Sequence, residues 1–326
     1  MKQRNIWIDC DPGIDDAVAL AMAAASRDQL NILGISTVAG NQISDRVTGN
    51  ALKLAAFFGM EDVPVARGAC GPLVRAVEPA GDVHGATGLG DCELPSTTKQ
   101  PASESGIFYM YNRIMELPAG EEVTLVPTGP LTDIALLLRT FPEVRQRIEQ
   151  IVLMGGSASE GNVTAAAEFN IWADPEAAQM VFGSGLPTVM CGLDVTLKSG
   201  LDSMQIEKLC QSDRKVAQAC GQMLSFYLNT TRHEGEENMV AIHDAVTILF
   251  LTNPELFSGR NVTVQVDCSW NEGRGRTICT QYPDATAGNT ASADMEERLS
   301  VPVYLLDQVN RPEFQKVLLS KIESLG

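Results

Sequence analysis

Positive charge is scarce in this sequence: 24 Lys and Arg stand against 41 Asp and Glu, a net charge of −17 with an isoelectric point near 4.6. Such a surface repels phosphate backbones and anionic lipid, so neither nucleic acid nor a membrane is an expected partner. Long apolar runs are also missing, and none approaches the roughly 20 residues that span a bilayer. No basic segment followed by an apolar core opens the chain, so no signal peptide is expected and a cytoplasmic location is. Eight cysteines, at 10, 70, 92, 191, 210, 220, 268 and 279, form no CxxC pair. Several sit in apolar runs, as Cys191 does, which predicts reduced core thiols rather than a disulfide framework. Zinc is disfavoured because thiol and imidazole ligands are not spaced for it. Only three histidines occur, His84, His233 and His243.

What is abundant is carboxylate, and it is concentrated. Asp9-Cys10-Asp11-Pro12-Gly13-Ile14-Asp15-Asp16 places four acids within eight positions. The apolar run Ile6-Trp7-Ile8 before it reads as a buried strand, and Ala17 to Met22 after it as a helix. Pro12-Gly13 breaks the chain between the two. The acids therefore crowd the carboxyl end of a strand and the first turn of a helix, where open α/β sheets hold ligands. A helix dipole eases one negative charge there, but like charges at short range disfavour joint ionisation. A hard cation is the natural remedy, and oxygen donors suit calcium or magnesium.

The pattern then alternates. Strands are predicted at 31–37, 63–65, 123–126, 151–154 and 187–191, with helices between them. This is the signature of a mostly parallel sheet with crossover helices, and the reading is one domain over 1–326. Residues 68–106 interrupt the rhythm with a long polar loop that suits an active-site lid. Helices are expected at 203–210, 213–230 and 312–323, a β-rich return at 261–306, and within it a polar insert at 281–298. Strand, small-residue turn, polar groups and helix recur at 9–16, 36–41, 126–132, 154–170 and 191–196. Parallel strands point their carboxyl ends one way, so these turns converge on one face.

At this point the residues match a family. Asp9 to Ala17 resembles the DxDPGxDDA signature of the inosine–uridine-preferring nucleoside hydrolases. The resemblance continues in Val38-Ala39-Gly40-Asn41, Thr128-Gly129-Pro130-Leu131-Thr132, Met154-Gly155-Gly156, Glu168-Phe169-Asn170 and His243-Asp244, roughly over residues 4–265. Beyond it, Gly273 to Thr277 echoes the family's Gly…Thr hairpin, while Asp284 to Glu297 looks like an insertion. The resemblance implies an open, mostly parallel sheet whose active site hydrolyses the N-glycosidic bond of ribonucleosides such as inosine and uridine. It implies that Asp11, Asp16, Asp244 and the main-chain carbonyl of Thr128 bind one calcium ion per subunit. It further implies that Asp15, Asn41, Asn162, Glu168 and Asn170 hold the ribose, with Met154 against it. His243 aligns with the leaving-group acid, and His84 resembles a base-contacting histidine of some members. A homodimer or homotetramer is implied as well.

The chemistry fits those residue types. Cleavage passes through an oxocarbenium-like transition state, which carboxylates and amides around the sugar stabilise. Calcium orients a water but acidifies it far less than zinc, so a base is required, and Asp11 can serve. With no second carboxylate evidently placed as a nucleophile, displacement by water with inversion is expected. Two other classes stay open. Asp9 and Asp11 also suggest an aspartyl phosphatase of the haloacid dehalogenase type, although Gly13 stands where that family has Thr or Ser. A ribose-binding protein without activity would keep the pocket but has no need of Asp11 and His243. A dinucleotide site is disfavoured because Met154-Gly155-Gly156-Ser157 lacks the GxGxxG spacing. Base preference is not legible in loops near 80–95 and 225–240.

Overall fold

A computed structural model describes residues 3–90, 92–231, 239–282 and 301–326. Arg4–Cys10 is the first strand (β1), and helix Ile14–Ala24 follows the acidic turn. Leu30–Thr37 (β2), Val65–Arg67 (β3), Val123–Pro127 (β4), Ile148–Met154 (β5) and Thr188–Cys191 (β6) continue the alternation. Helices Ser44–Phe57, Gly106–Met115, Thr132–Thr140 and Pro175–Phe182 lie between them. Gly200–Asp202 (β7) and Met239–Ala241 (β8) pair antiparallel in a separate ribbon. Phe257–Val266 (β9), Thr277–Gln281 (β10), Val303–Val309 (β11) and helix Arg311–Ser324 follow.

The main sheet has nine strands in the order β10-β9-β11-β6-β5-β4-β1-β2-β3. The strands from β11 to β3 are parallel, whereas β9 runs antiparallel to both β11 and β10. The expected open, mostly parallel sheet flanked by helices is therefore the observed architecture. Helices cover both faces. In β1, Ile6, Ile8 and Cys10 face one core layer with helices Ile14–Ala24, Lys215–Thr231 and Ala245–Thr252, and Trp7 faces the other. Burial on both faces is why β1 reads as a continuous apolar run instead of an alternating one.

Some details depart from expectation for local reasons. The third strand begins at Val65 instead of Val63, because the Val63 amide closes a turn onto the Met60 carbonyl. The β-rich return extends to Val309, and its last strand inserts between β6 and β9. His233 and nearly all of the insert at 281–298 lie outside the described residues. No helix among the described residues is long and apolar enough to cross a membrane.

Candidate active site

Strand order reverses at β1, which has β2 on one side and β4 on the other. Diverging crossovers leave a crevice beyond the carboxyl ends at such a point. A cleft of about 910 Å³ opens there. Asp15, Asn41, His84, Thr128, Met154, Asn162, Glu168, Asn170, His243 and Asp244 all line it, although they come from segments up to 229 residues apart in the chain. Asp11 and Asp16 do not line the cleft and are fully buried. Asp16 still offers an oxygen within 4.8 Å of oxygens of Asp15 and Asp244.

Asp16 is the most firmly held acid. It accepts from the Gly13 amide at 2.9 Å, capping helix Ile14–Ala24, from Thr128 Oγ1 at 2.8 Å and from Asn41 Nδ2 at 3.2 Å. Asp11 accepts from the Asn41 amide at 2.6 Å through Oδ2, while its buried Oδ1 has no partner. Backbone packs tightly round that carboxylate. A Cβ on Gly40 would stand 2.2 Å from Asp11 Oδ2, and one on Gly129 would stand 2.6 Å from Oδ1. Only glycine permits that approach.

Burial pushes all of these carboxyls up. Asp11 rises well above the ordinary range, through desolvation first and then the Asp16 charge. Asp244 does likewise, through desolvation and then Asp15. Asp16 reaches about 6 for the same two reasons, and Asp15 is raised by desolvation against a lowering effect of His243. Arg311 is the only Lys or Arg among the described residues lining the cleft. Clustered, desolvated oxygens with unpartnered atoms on Asp11 and Asp15 and little basic compensation fit a hard divalent cation. Asp9 departs from the sequence picture of four crowded acids. It accepts from Ser36 Oγ and faces Asp133, and burial followed by the Asp133 charge keeps its carboxyl protonated far above the usual range.

The sugar-binding candidates are held by main chain. Glu168 caps helix Phe169–Ala173 and accepts from the amides of Gly156, Asn170 and Ile171. Asn170 Nδ2 donates to the carbonyls of Thr128 at 2.7 Å and Met154 at 3.1 Å, which leaves its Oδ1 as the free acceptor. Asn162 sits on an exposed loop, its Oδ1 taking the Phe169 amide. Asn41 spends its side-chain donor on Asp16.

Two histidines meet in this space. His84 Nδ1 accepts from the Ile14 amide at 3.2 Å, and burial lowers its pKa to about 4. A neutral imidazole accepting at Nδ1 carries its proton on Nε2, so His84 is a fixed donor. Its loop is pinned by Gln42 Nε2 to the Gly85 carbonyl, Arg46 to the Ala86 carbonyl and Thr230 Oγ1 to the Val83 carbonyl. His243 is also lowered by burial, with Asp15 pulling it back up. Sequence reasoning missed Tyr227, which is buried, lines the cleft and stands 5.6 Å from His84 ring to ring. It is one of several apolar-spaced residues on helix Lys215–Thr231 and carries no local signal.

Residues 6–316 match the inosine-uridine preferring nucleoside hydrolase family. The pyrimidine-specific ribonucleoside hydrolase RihA of Shewanella woodyi is 43% identical over 291 residues, covering 89% of this chain and 92% of that protein. RihA of Photobacterium profundum is 45% identical over 281 residues, covering 86% and 89%. Among solved structures, the plant nucleoside hydrolase PpNRh1 aligns with a TM-score of 0.89 at 29% identity, over 98% of this chain and 99% of that one. The purine-preferring ribonucleoside hydrolase from Gardnerella vaginalis gives 0.86 at 29% identity, over 98% of each chain. The chain belongs to the inosine-uridine preferring nucleoside hydrolase family and is an N-glycosyl hydrolase.

Proposed function

We propose that this protein hydrolyses pyrimidine ribonucleosides, uridine above all, to ribose and free base, with inversion at the anomeric carbon. The observation that carries the reading is the unpartnered, buried Asp11 Oδ1 beside the Asp15, Asp16 and Asp244 cluster, in a cleft walled by amides and histidines. Calcium is the proposed cofactor, one per subunit, because every candidate donor is a hard oxygen. Asp11, Asp16, Asp244 and the Thr128 carbonyl would hold it; that carbonyl gives one lone pair to Asn170 and keeps the other. When bound, the cation would screen the carboxylates and orient the attacking water and the sugar hydroxyls.

The chain's own groups do the rest. Asp11 accepts the proton of the attacking water. Asp15 and Asn170 Oδ1 take hydroxyl protons of the ribose, and Asn41, Asn162, Glu168 and Met154 complete its walls. His243 protonates the departing base. His84, donating through Nε2, suits a carbonyl acceptor on the base, as a pyrimidine offers beside its glycosidic nitrogen. That donor and the pyrimidine-specific names of the relatives at 43–45% identity support uridine over inosine. The phosphatase alternative needs Asp9 as nucleophile, yet Asp9 faces Ser36 and Asp133 and does not line the cleft. We further propose a single domain over 1–326, a cytoplasmic location and a homodimer or homotetramer.

Ribose release from uridine, cytidine and inosine, with a nitrophenyl phosphate as control, tests the reading. The expected result is cleavage of uridine with a higher kcat/KM than inosine and no phosphatase activity. Inosine cleaved preferentially would overturn the pyrimidine assignment, and no ribose from any nucleoside would overturn the whole.

A further inference from the structure

We propose that Thr196 is a positioning residue that holds the His243 ring so that Nε2 is the nitrogen presented to the leaving base. The inference rests on the reading of His243 as the leaving-group acid. Thr196 ends the short helix Leu193–Thr196 after β6 and is fully buried. Its Oγ1 lies 2.8 Å from His243 Nδ1. The backbones on either side are fixed to each other: the Ile242 amide donates to the Ser199 carbonyl at 2.8 Å, and Gly200 pairs with Ala241 in the β7–β8 ribbon. Ser199 Oγ in turn donates to the Val195 carbonyl at 2.9 Å. The partners are thus held together by main chain before any substrate arrives.

A hydroxyl is the one neutral group that serves both states of the imidazole. It accepts from Nδ1–H of the imidazolium, and it still accepts after the Nε2–H bond breaks and the base takes that proton, because the neutral ring then keeps Nδ1–H. It donates to Nδ1 when the ring rests with its proton on Nε2. In each state Nδ1 is engaged, so Nε2 is the nitrogen left for the cleft that His243 lines. Without the hydroxyl, the ring is free to turn or to leave a polar nitrogen buried unpaired. A backbone amide would serve only one of these states, and a carboxylate would add charge to an already acidic cluster.

The test compares Thr196→Val and Thr196→Ser with the wild-type enzyme on uridine and on a nitrophenyl riboside, whose leaving group needs no proton. Thr196→Val is expected to lower kcat on uridine by roughly 10- to 100-fold, part of what a general acid contributes, with KM changed little. The riboside rate should stay within about threefold, and Thr196→Ser should restore uridine turnover, since the acid's contribution alone is affected. Equal losses on both substrates, or no loss on either, would overturn the inference, as would failure of Ser to rescue. Thr196→Ala, which cannot overpack the site, repeats the test should the valine variant not fold. His243→Ala separates the two levels. If it slows both substrates equally, the acid reading itself fails; if it spares the riboside while Thr196→Val has no effect, only the role of Thr196 fails.

Discussion

Gly40→Ala removes nothing from the protein and adds one methyl group, yet it should disable the enzyme. The new Cβ would stand 2.2 Å from Asp11 Oδ2, 2.7 Å from Pro130 Cδ and 2.8 Å from Pro130 Cγ. Ordinary carbon contacts begin near 3.4 Å, so a displacement of about 1 Å is forced. Pro130 blocks one direction, and Asp11 is pinned by the Asn41 amide at 2.6 Å. Losing a hydrogen bond to a charged buried group costs about 1.5–3 kcal/mol, which is about 10- to 150-fold. Misplacing a reacting group by about 1 Å costs roughly 100-fold by itself. Overpacking takes about 1–3 kcal/mol from stability, so the variant should still fold. The expected outcome is a fall of about 10³- to 10⁴-fold in kcat/KM on uridine, from these two effects together. Because water activation is common to all substrates, the nitrophenyl riboside should suffer equally. A folded Gly40→Ala enzyme with near wild-type kcat/KM would refute the assignment of Asp11 as the base.

Other outcomes follow from the same site. Uridine should be cleaved at least roughly 10⁴-fold faster than 2′-deoxyuridine in kcat/KM, because the missing hydroxyl leaves buried acceptors such as Asp15 Oδ1 unpaired. Asp15→Asn and Asn170→Ala should narrow that gap by slowing uridine alone, as parallel kinetics on the two sugars would reveal. The metal-stripped protein should lose stability as pH rises from about 4 to about 6. Burial lifts Asp16 and Asp133 from 3.8 to about 6, so between those values the native state keeps protons that the unfolded chain has released. That stabilisation is full below about 4 and lost above about 6. Urea midpoints that increase between pH 4 and pH 6 would contradict it.

The sheet and the acidic turn were legible because each rests on local signals. Ile6-Trp7-Ile8 is a buried strand by composition, and Pro12-Gly13 with Asp15 and Asp16 marks a turn entering a helix. The motifs at 41, 128, 154, 168–170 and 243–244 carried the rest of the cleft, and the parallel sheet gathers them at one end. Less was legible wherever a residue acts through a distant partner. Asp9 shares the motif with Asp11, but it lies within β1 on the Trp7 face, toward Ser36 and Asp133, whereas Asp11 follows the end of that strand. Tyr227 and Thr196 carry no motif and become notable only through His84 and His243. The fixed tautomer of His84 depends on the Ile14 amide, 70 residues away.

The central claim is that a cation-assisted Asp11 activates water against the N-glycosidic bond. Uridine hydrolysis should be followed by ribose release in protein stripped by prolonged chelation, then after calcium is restored, with Asp11→Ala taken through the same cycle. The account predicts that stripping abolishes turnover, that calcium returns it to the wild-type enzyme, and that Asp11→Ala stays inactive at any calcium concentration. Full ribose release from the rigorously metal-free enzyme, or from Asp11→Ala, would contradict it.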